Sequence, residues 1–215
     1  MNSGDKTRMK PCFPKWVLQE LDNNWMTELP SPGETGVYFV NERYVGWLLS
    51  KLGTQEGRIL ERLADYLLSC MPGCRTARRK RSPSTDYDVV CSMDGFDLDF
   101  RSELGRYFIC ECKDWDEPAD FTAFAKFCRV LDSVKCRFGI LFSKHGIKGQ
   151  GKRRDADLEQ IKVFQDRGMI IVVVDQSDLE SVSKGANLVS MLRSKYEMVR
   201  LNLTGTYEGD KDRAC

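Results

Sequence analysis

Apolar positions along this chain switch repeatedly between helical and strand spacing. After Thr54-Gln55-Glu56, a helix N-cap signature, Ile59, Leu60, Leu63, Ala64, Leu67 and Leu68 form a helical stripe. Pro72-Gly73 ends it. Residues 74–79, 88–93 and 106–113 read as three strands, with the turn signal Asp94-Gly95 between the last two. Pro118 opens a helix carrying Phe121, Phe124, Val130 and Leu131. Residues 138–142 form a compact apolar strand and 155–166 a helix. The continuous apolarity of 169–175 suits a buried parallel strand. A last helix, over 188–199, precedes a polar tail. The order α-β-β-β-α-β-α-β predicts an α/β fold with a mixed sheet flanked by helices.

The first 53 residues have a different character. Pro11/Pro14 and Pro30/Pro32 break them, and Val17, Leu21 and Trp25 share one helical face between the breaks. A short β-like run covers 37–40, and Val45, Leu48, Leu49 and Leu52 predict another helix. Trp16, Trp25 and Trp47 suit packing onto a larger body. Three regions follow. Residues 1–53 are a mainly helical N-terminal extension on or next to the core, 54–182 are the core, and 183–215 are a C-terminal helix with a polar tail. There is no internal repeat and no low-complexity tract.

Composition narrows the class. The 215 residues are 41% hydrophobic and 30% charged, as in a soluble globular protein. Lys plus Arg number 33 and Asp plus Glu 32, a net charge of +1, which excludes coating nucleic acid through bulk charge. The nine cysteines include no CxxC pair, and the chain has one histidine, so paired zinc-ligand spacing is absent. Reduced thiols in a cytoplasmic protein are the expectation. Residues 1–10 lack the apolar stretch of a signal peptide. The longest apolar run, 169–174, is too short to cross a bilayer, so no membrane partner is expected.

Charge by position changes the picture. Residues 86–120 hold eleven acidic and three basic residues, a net of −8. Basic runs flank them: Arg75, Arg78, Arg79, Lys80 and Arg81 on one side, Lys144, Lys148, Lys152, Arg153 and Arg154 on the other. A metal-dependent phosphodiester enzyme needs this pattern, with carboxylates for a cation and basic runs for phosphates. A solvated hairpin with ordinary surface charge would carry it too.

The spacing of three residues adds chemistry. Asp88 starts the second strand, and Glu111 follows after 22 intervening residues in Ile109-Cys110-Glu111-Cys112-Lys113. Alternation puts Glu111 and Lys113 on one strand face, where they can meet Asp88 on the neighbouring strand. Cys110 and Cys112 then point to the opposite face. Two hard carboxylates suit magnesium, which keeps several waters, and the ammonium can orient one of them. Asp86 shares a face with Asp88 and is its alternative.

With these features the sequence resembles the PD-(D/E)XK nuclease superfamily, in its Mrr-like restriction endonuclease branch. The resemblance covers roughly residues 54–180. It rests on Gly57-Arg58-Ile59-Leu60-Glu61, on Asp88 before Val89-Val90, on Glu111-Cys112-Lys113, and on residues 139–147 with the helix and strand after them. Tyr87 stands where the family's leading proline would be.

The resemblance implies a restriction-endonuclease-like core and magnesium-dependent hydrolysis of DNA, with manganese able to substitute. Restriction or defence against foreign DNA would be the setting. It implies Asp88, Glu111 and the Cys112 backbone carbonyl as metal ligands, Lys113 positioning the attacking water, and Glu61 reaching the metal through water. Arg78, Arg79, Lys80, Arg81, Lys144, Lys152, Arg153 and Arg154 are the expected nucleic-acid contacts, on double-stranded DNA. Nucleases of this fold often cut two strands by pairing two subunits, so a homodimer is expected. Two other readings stand: a non-catalytic nucleic-acid or protein-interaction module, and a nuclease acting on RNA or branched DNA. His145 reads as an exposed loop residue and Trp115 as strand-end packing.

Overall fold

The computed structural model describes residues 38–53, 58–81, 85–93, 104–148, 163 and 166–203. In chain order these form α1 (Glu42–Ser50), α2 (Ile59–Ser69), β1 (Cys74–Arg81), β2 (Asp86–Met93), β3 (Tyr107–Lys113), α3 (Phe121–Ser133), β4 (Phe138–Ser143), β5 (Ile170–Val174), α4 (Gln176–Val182) and α5 (Leu188–Arg200). The five strands make one sheet, ordered β1-β2-β3-β4-β5. The first three are antiparallel, and β3, β4 and β5 run parallel. The fold is thus α/β, with a mixed sheet flanked by helices, as the order of elements predicts.

Strand alternation divides the core between the two faces of the sheet. Val89, Cys91, Phe108, Cys110, Phe142 and Val172 turn to one face, in a cluster with Leu48 of α1, Leu63 and Leu67 of α2, Val182 of α4 and Leu192 of α5. Ile109, Leu141, Ile171 and Val173 turn to the other, under Phe124, Phe127 and Leu131 of α3. β4 and β5 are buried at every position because helices cover both their faces. Gly139 lets α3 approach β4. A Cβ there would lie 2.7 Å from Leu131 Cδ1 and 2.8 Å from Phe127 Cζ.

The helix starts are set by side chains. Asn41, Asp120 and Asn187 each accept a hydrogen bond from the backbone N–H three residues on, at 3.0, 2.9 and 3.1 Å. The apolar spacing does not predict α4. Its start is a capping box, in which Asp175 and Asp178 each accept from the other's backbone N–H. Residues 38–40 form no strand; Val40 packs in the cluster with the helices instead. The helix α1 and the C-terminal α5 belong to the same core cluster as the sheet. Tyr44 of α1 meets Tyr66 of α2 edge-on at 4.7 Å between ring centroids. The Tyr66 hydroxyl accepts from the Asn41 N–H at 2.8 Å.

Several expectations lie outside the described residues: the helix around Trp25, the Thr54-Gln55-Glu56 cap, the Asp94-Gly95 turn, most of the helix over 155–166, and the tail from 204. Within them, α2 follows Arg58, whose φ of 79° is left-handed. The seven described cysteines are free thiols. No helix among the described residues is long and apolar enough to cross a membrane.

Candidate active site

The site lies where the sheet comes apart locally. Pairing between β2 and β3 runs from Ser92–Tyr107 to Val89–Cys110 and stops. β3 stays paired with β4 as far as Lys113–Ser143. On the other side of β2, the pair Arg79–Asp88 is missing between Arg78–Val89 and Lys80–Tyr87. Arg79 has a left-handed φ of 53°, which interrupts strand alternation there. Asp88 therefore sits in a notch, released from both neighbouring strands.

The notch is closed by a side chain in place of a ladder bond. Asp88 Oδ2 accepts from the Cys112 N–H at 2.8 Å. Peptide groups of a strand point alternately to its two edges, with N–H and C=O of one residue on the same side. The Cys112 carbonyl therefore turns toward the notch. The Lys113 carbonyl turns the other way, where it accepts from the Lys144 N–H at 3.0 Å.

Glu111 and Lys113 lie side by side, each with its side chain 15% exposed, and Lys113 Nζ donates to Glu111 Oε1 at 2.5 Å. Burial pushes the Glu111 carboxyl above its ordinary value. The Lys113 hydrogen bond opposes this, and the Asp88 charge adds to the rise. Glu61 comes from α2. Burial raises its carboxyl, the Asp88 charge raises it further, and the nearby Arg79 guanidinium pulls it back. The Cys112 thiol is held well above its ordinary value by burial and by the charges of Asp88, Glu61 and Glu111. The Asp88 charge thus acts on both Glu61 and Glu111.

Among the described residues, Asp88 Oδ1 and Glu111 Oε2 take no hydrogen bond. No group of three or more His, Cys, Asp or Glu side chains among them is arranged to hold a metal ion. The donors present fit a cation that takes two carboxylate oxygens, one backbone carbonyl and waters, which is magnesium's habit. They do not make an all-protein cage.

The remaining candidates are placed unevenly. Asp86 pairs with Arg81 at 3.4 Å in an exposed position, away from Cys112, so Asp88 alone of the two aspartates enters the notch. Arg78 pairs with Asp65 of α2 at 3.1 Å, and Arg79 Nε lies 3.9 Å from Glu61. The left-handed turn at Arg79 is what brings consecutive arginines to the same helix. Lys80 is exposed. Lys144 is largely buried, with its Nζ 3.3 Å from Asp116 Oδ1. Lys152, Arg153 and Arg154 lie outside the described residues. His145 is exposed. Cys110 and Cys112 pack on the α2 side of the sheet, opposite Glu111 and Lys113.

Two residues at the site are not legible in the sequence. Trp115 is 46% exposed rather than packed, and Lys113 Nζ lies 5.0 Å from its ring centroid in a cation–π contact. Lys126, on the exposed side of α3, acts electrostatically on Glu111. No local spacing marks Lys126, because its position depends on how α3 crosses the sheet. No protein-family model matches the chain, and no curated protein is significantly similar to it.

Proposed function

We propose that this chain is a metal-dependent endonuclease with a restriction-endonuclease-like core that hydrolyses phosphodiester bonds in DNA. One observation carries the proposal: the local break in β2–β3 pairing gathers Asp88, Glu111 and Lys113 around a backbone carbonyl. Asp88 and Glu111 each offer one unengaged oxygen there, and the Cys112 carbonyl is turned toward the same space. These three would hold magnesium, with Glu61 reaching it through a water. A bound divalent cation supplies a water of lowered pKa and offsets phosphate charge. Lys113, fixed by Glu111, is placed to orient that water and to stabilise charge developing on phosphorus oxygens. The exposed Lys126 and Lys80 are available to the DNA backbone.

The test is a cleavage panel. Wild type, Glu111→Ala and Lys113→Ala are incubated with plasmid, linear DNA and RNA, in magnesium or in EDTA. Magnesium-dependent cutting of DNA by wild type and its loss in both variants is the expected result. Undiminished cutting by both variants overturns the site. Tight DNA binding with no metal uptake by calorimetry would instead indicate the interaction module.

A further inference from the structure

On the α3 face, the sheet carries an open pocket of about 550 Å³ beside the notch, within the range of about 300–1,000 Å³ for small-molecule sites. It exists because α3 covers β3, β4 and β5, while no helix among the described residues covers β2 on that face. Its floor includes Val90 and Ile109. Ile109 is two residues from Glu111 and shares its face of β3 about 7 Å further along, and on β2 the pocket residues Tyr87 and Val90 lie on either side of Asp88 in sequence. Tyr87 and the half-exposed Tyr107 form aromatic walls.

Among the described residues, the charge of the pocket has one sign: Arg106, Lys135 and Arg137 line it, and no acidic residue does. Lys135 is shared with Asp132 at 3.8 Å, but among the described residues Arg106 and Arg137 have no carboxylate partner. The Arg106 guanidinium lies 5.6 Å from the Tyr107 centroid. Apolar floor, aromatic walls and an unneutralised basic rim together suit a flat ring system bearing an anion.

We propose that this pocket binds a single nucleotide, with its base over Val90 and Ile109 beside Tyr87 and Tyr107 and its phosphate on Arg106 and Arg137. The nucleotide is either free or an unstacked unit of the strand held at the notch. The second source rests on the nuclease reading; the binding chemistry of the pocket does not. A nucleotide from the strand would let the protein read a base next to the bond at the notch.

The experiment is calorimetric titration of the full chain in EDTA with deoxyadenosine 5′-monophosphate, deoxyadenosine and inorganic phosphate. The nucleotide is expected to bind saturably, and more tightly than either fragment. Arg106→Ala/Arg137→Ala and Tyr107→Ala should each weaken it by about tenfold or more. Arg106→Lys/Arg137→Lys should recover part of the loss. All the pocket substitutions are at exposed positions. No saturable binding, or equal binding by wild type and the double alanine variant, overturns the pocket whatever the cleavage panel shows. A second arm uses a duplex with one unpaired nucleotide. Arg106- and Tyr107-dependent binding of that duplex assigns the strand as source, and mononucleotide binding alone assigns the free nucleotide. Absence of metal-dependent cleavage by the wild-type chain, with intact nucleotide binding, would overturn only the nuclease.

Discussion

Replacing Asp88 separately by Asn and by Ala divides its two roles, one structural and one electrostatic. Its Oδ2 accepts the Cys112 N–H at 2.8 Å where the β2–β3 ladder has ended, so no backbone acceptor stands ready to replace it. Asp88→Ala strands that N–H, at a cost of about 1–3 kcal/mol. Asp88→Asn keeps an acceptor and exchanges a charge-assisted bond of about 1.5–3 kcal/mol for a neutral one of about 0.5–1.5 kcal/mol. The net cost is about 1 kcal/mol before the relief of repulsion on Glu61 and Glu111, which the Asp88 charge currently raises. For a chain of this size about 2–4 °C of melting temperature accompanies each kcal/mol. Calorimetric melting in EDTA should therefore place Asn close to wild type and Ala several degrees below. Both variants lose the charge, so both should lose magnesium-dependent cleavage by about 100-fold or more. Cleavage retained by Asp88→Asn would remove Asp88 from the chemistry. Equal melting of the Ala and Asn variants would mean that the Cys112 bond does not hold the notch.

Two further outcomes test packing and electrostatics. Gly139→Ala drives a methyl group into Phe127 and Leu131. It should cost about 1–3 kcal/mol in urea unfolding, and an unchanged midpoint would refute the close approach of α3 to β4. The Glu61 and Glu111 carboxyls are raised in the folded chain, so the folded state holds their protons more tightly than the unfolded one. Below the unfolded value of about 4.3 both forms are protonated and nothing is lost. As pH rises from there through the raised values, stability falls, and above them it stays lowered. Melting in EDTA from pH 4 to 8 should show this fall, smaller in Glu61→Gln; identical slopes in the two proteins would contradict it.

Much of the architecture follows from patterns short enough to read along the chain. Phe138–Ser143 and Ile170–Val174 are apolar at nearly every position, so only burial between two helical layers suits them. Pro118 ahead of Phe124 and Leu131 marks α3 by its start signal and period, and the Asp120 side chain caps it. The pairing of Glu111 with Lys113 is equally local, since residues two apart on a strand share a face. α4 is legible in principle from Asp175 and Asp178, but seven residues with two buried apolar positions give too short a period to stand out.

What joins the candidates is not local. Asp86 and Asp88 are equivalent by alternation, and they part only because Arg79 turns left-handed and pairing with β3 stops at Val89. Arg78 and Arg79 read as free phosphate contacts until that same turn sets them against Asp65 and Glu61. The pocket beside the notch depends on α3 leaving β2 bare, and no stretch of sequence encodes that crossing. Periodicity reports which face a residue occupies relative to its own strand. Where two strands stop pairing, and what then lies opposite, is settled by long-range packing among segments far apart in the chain.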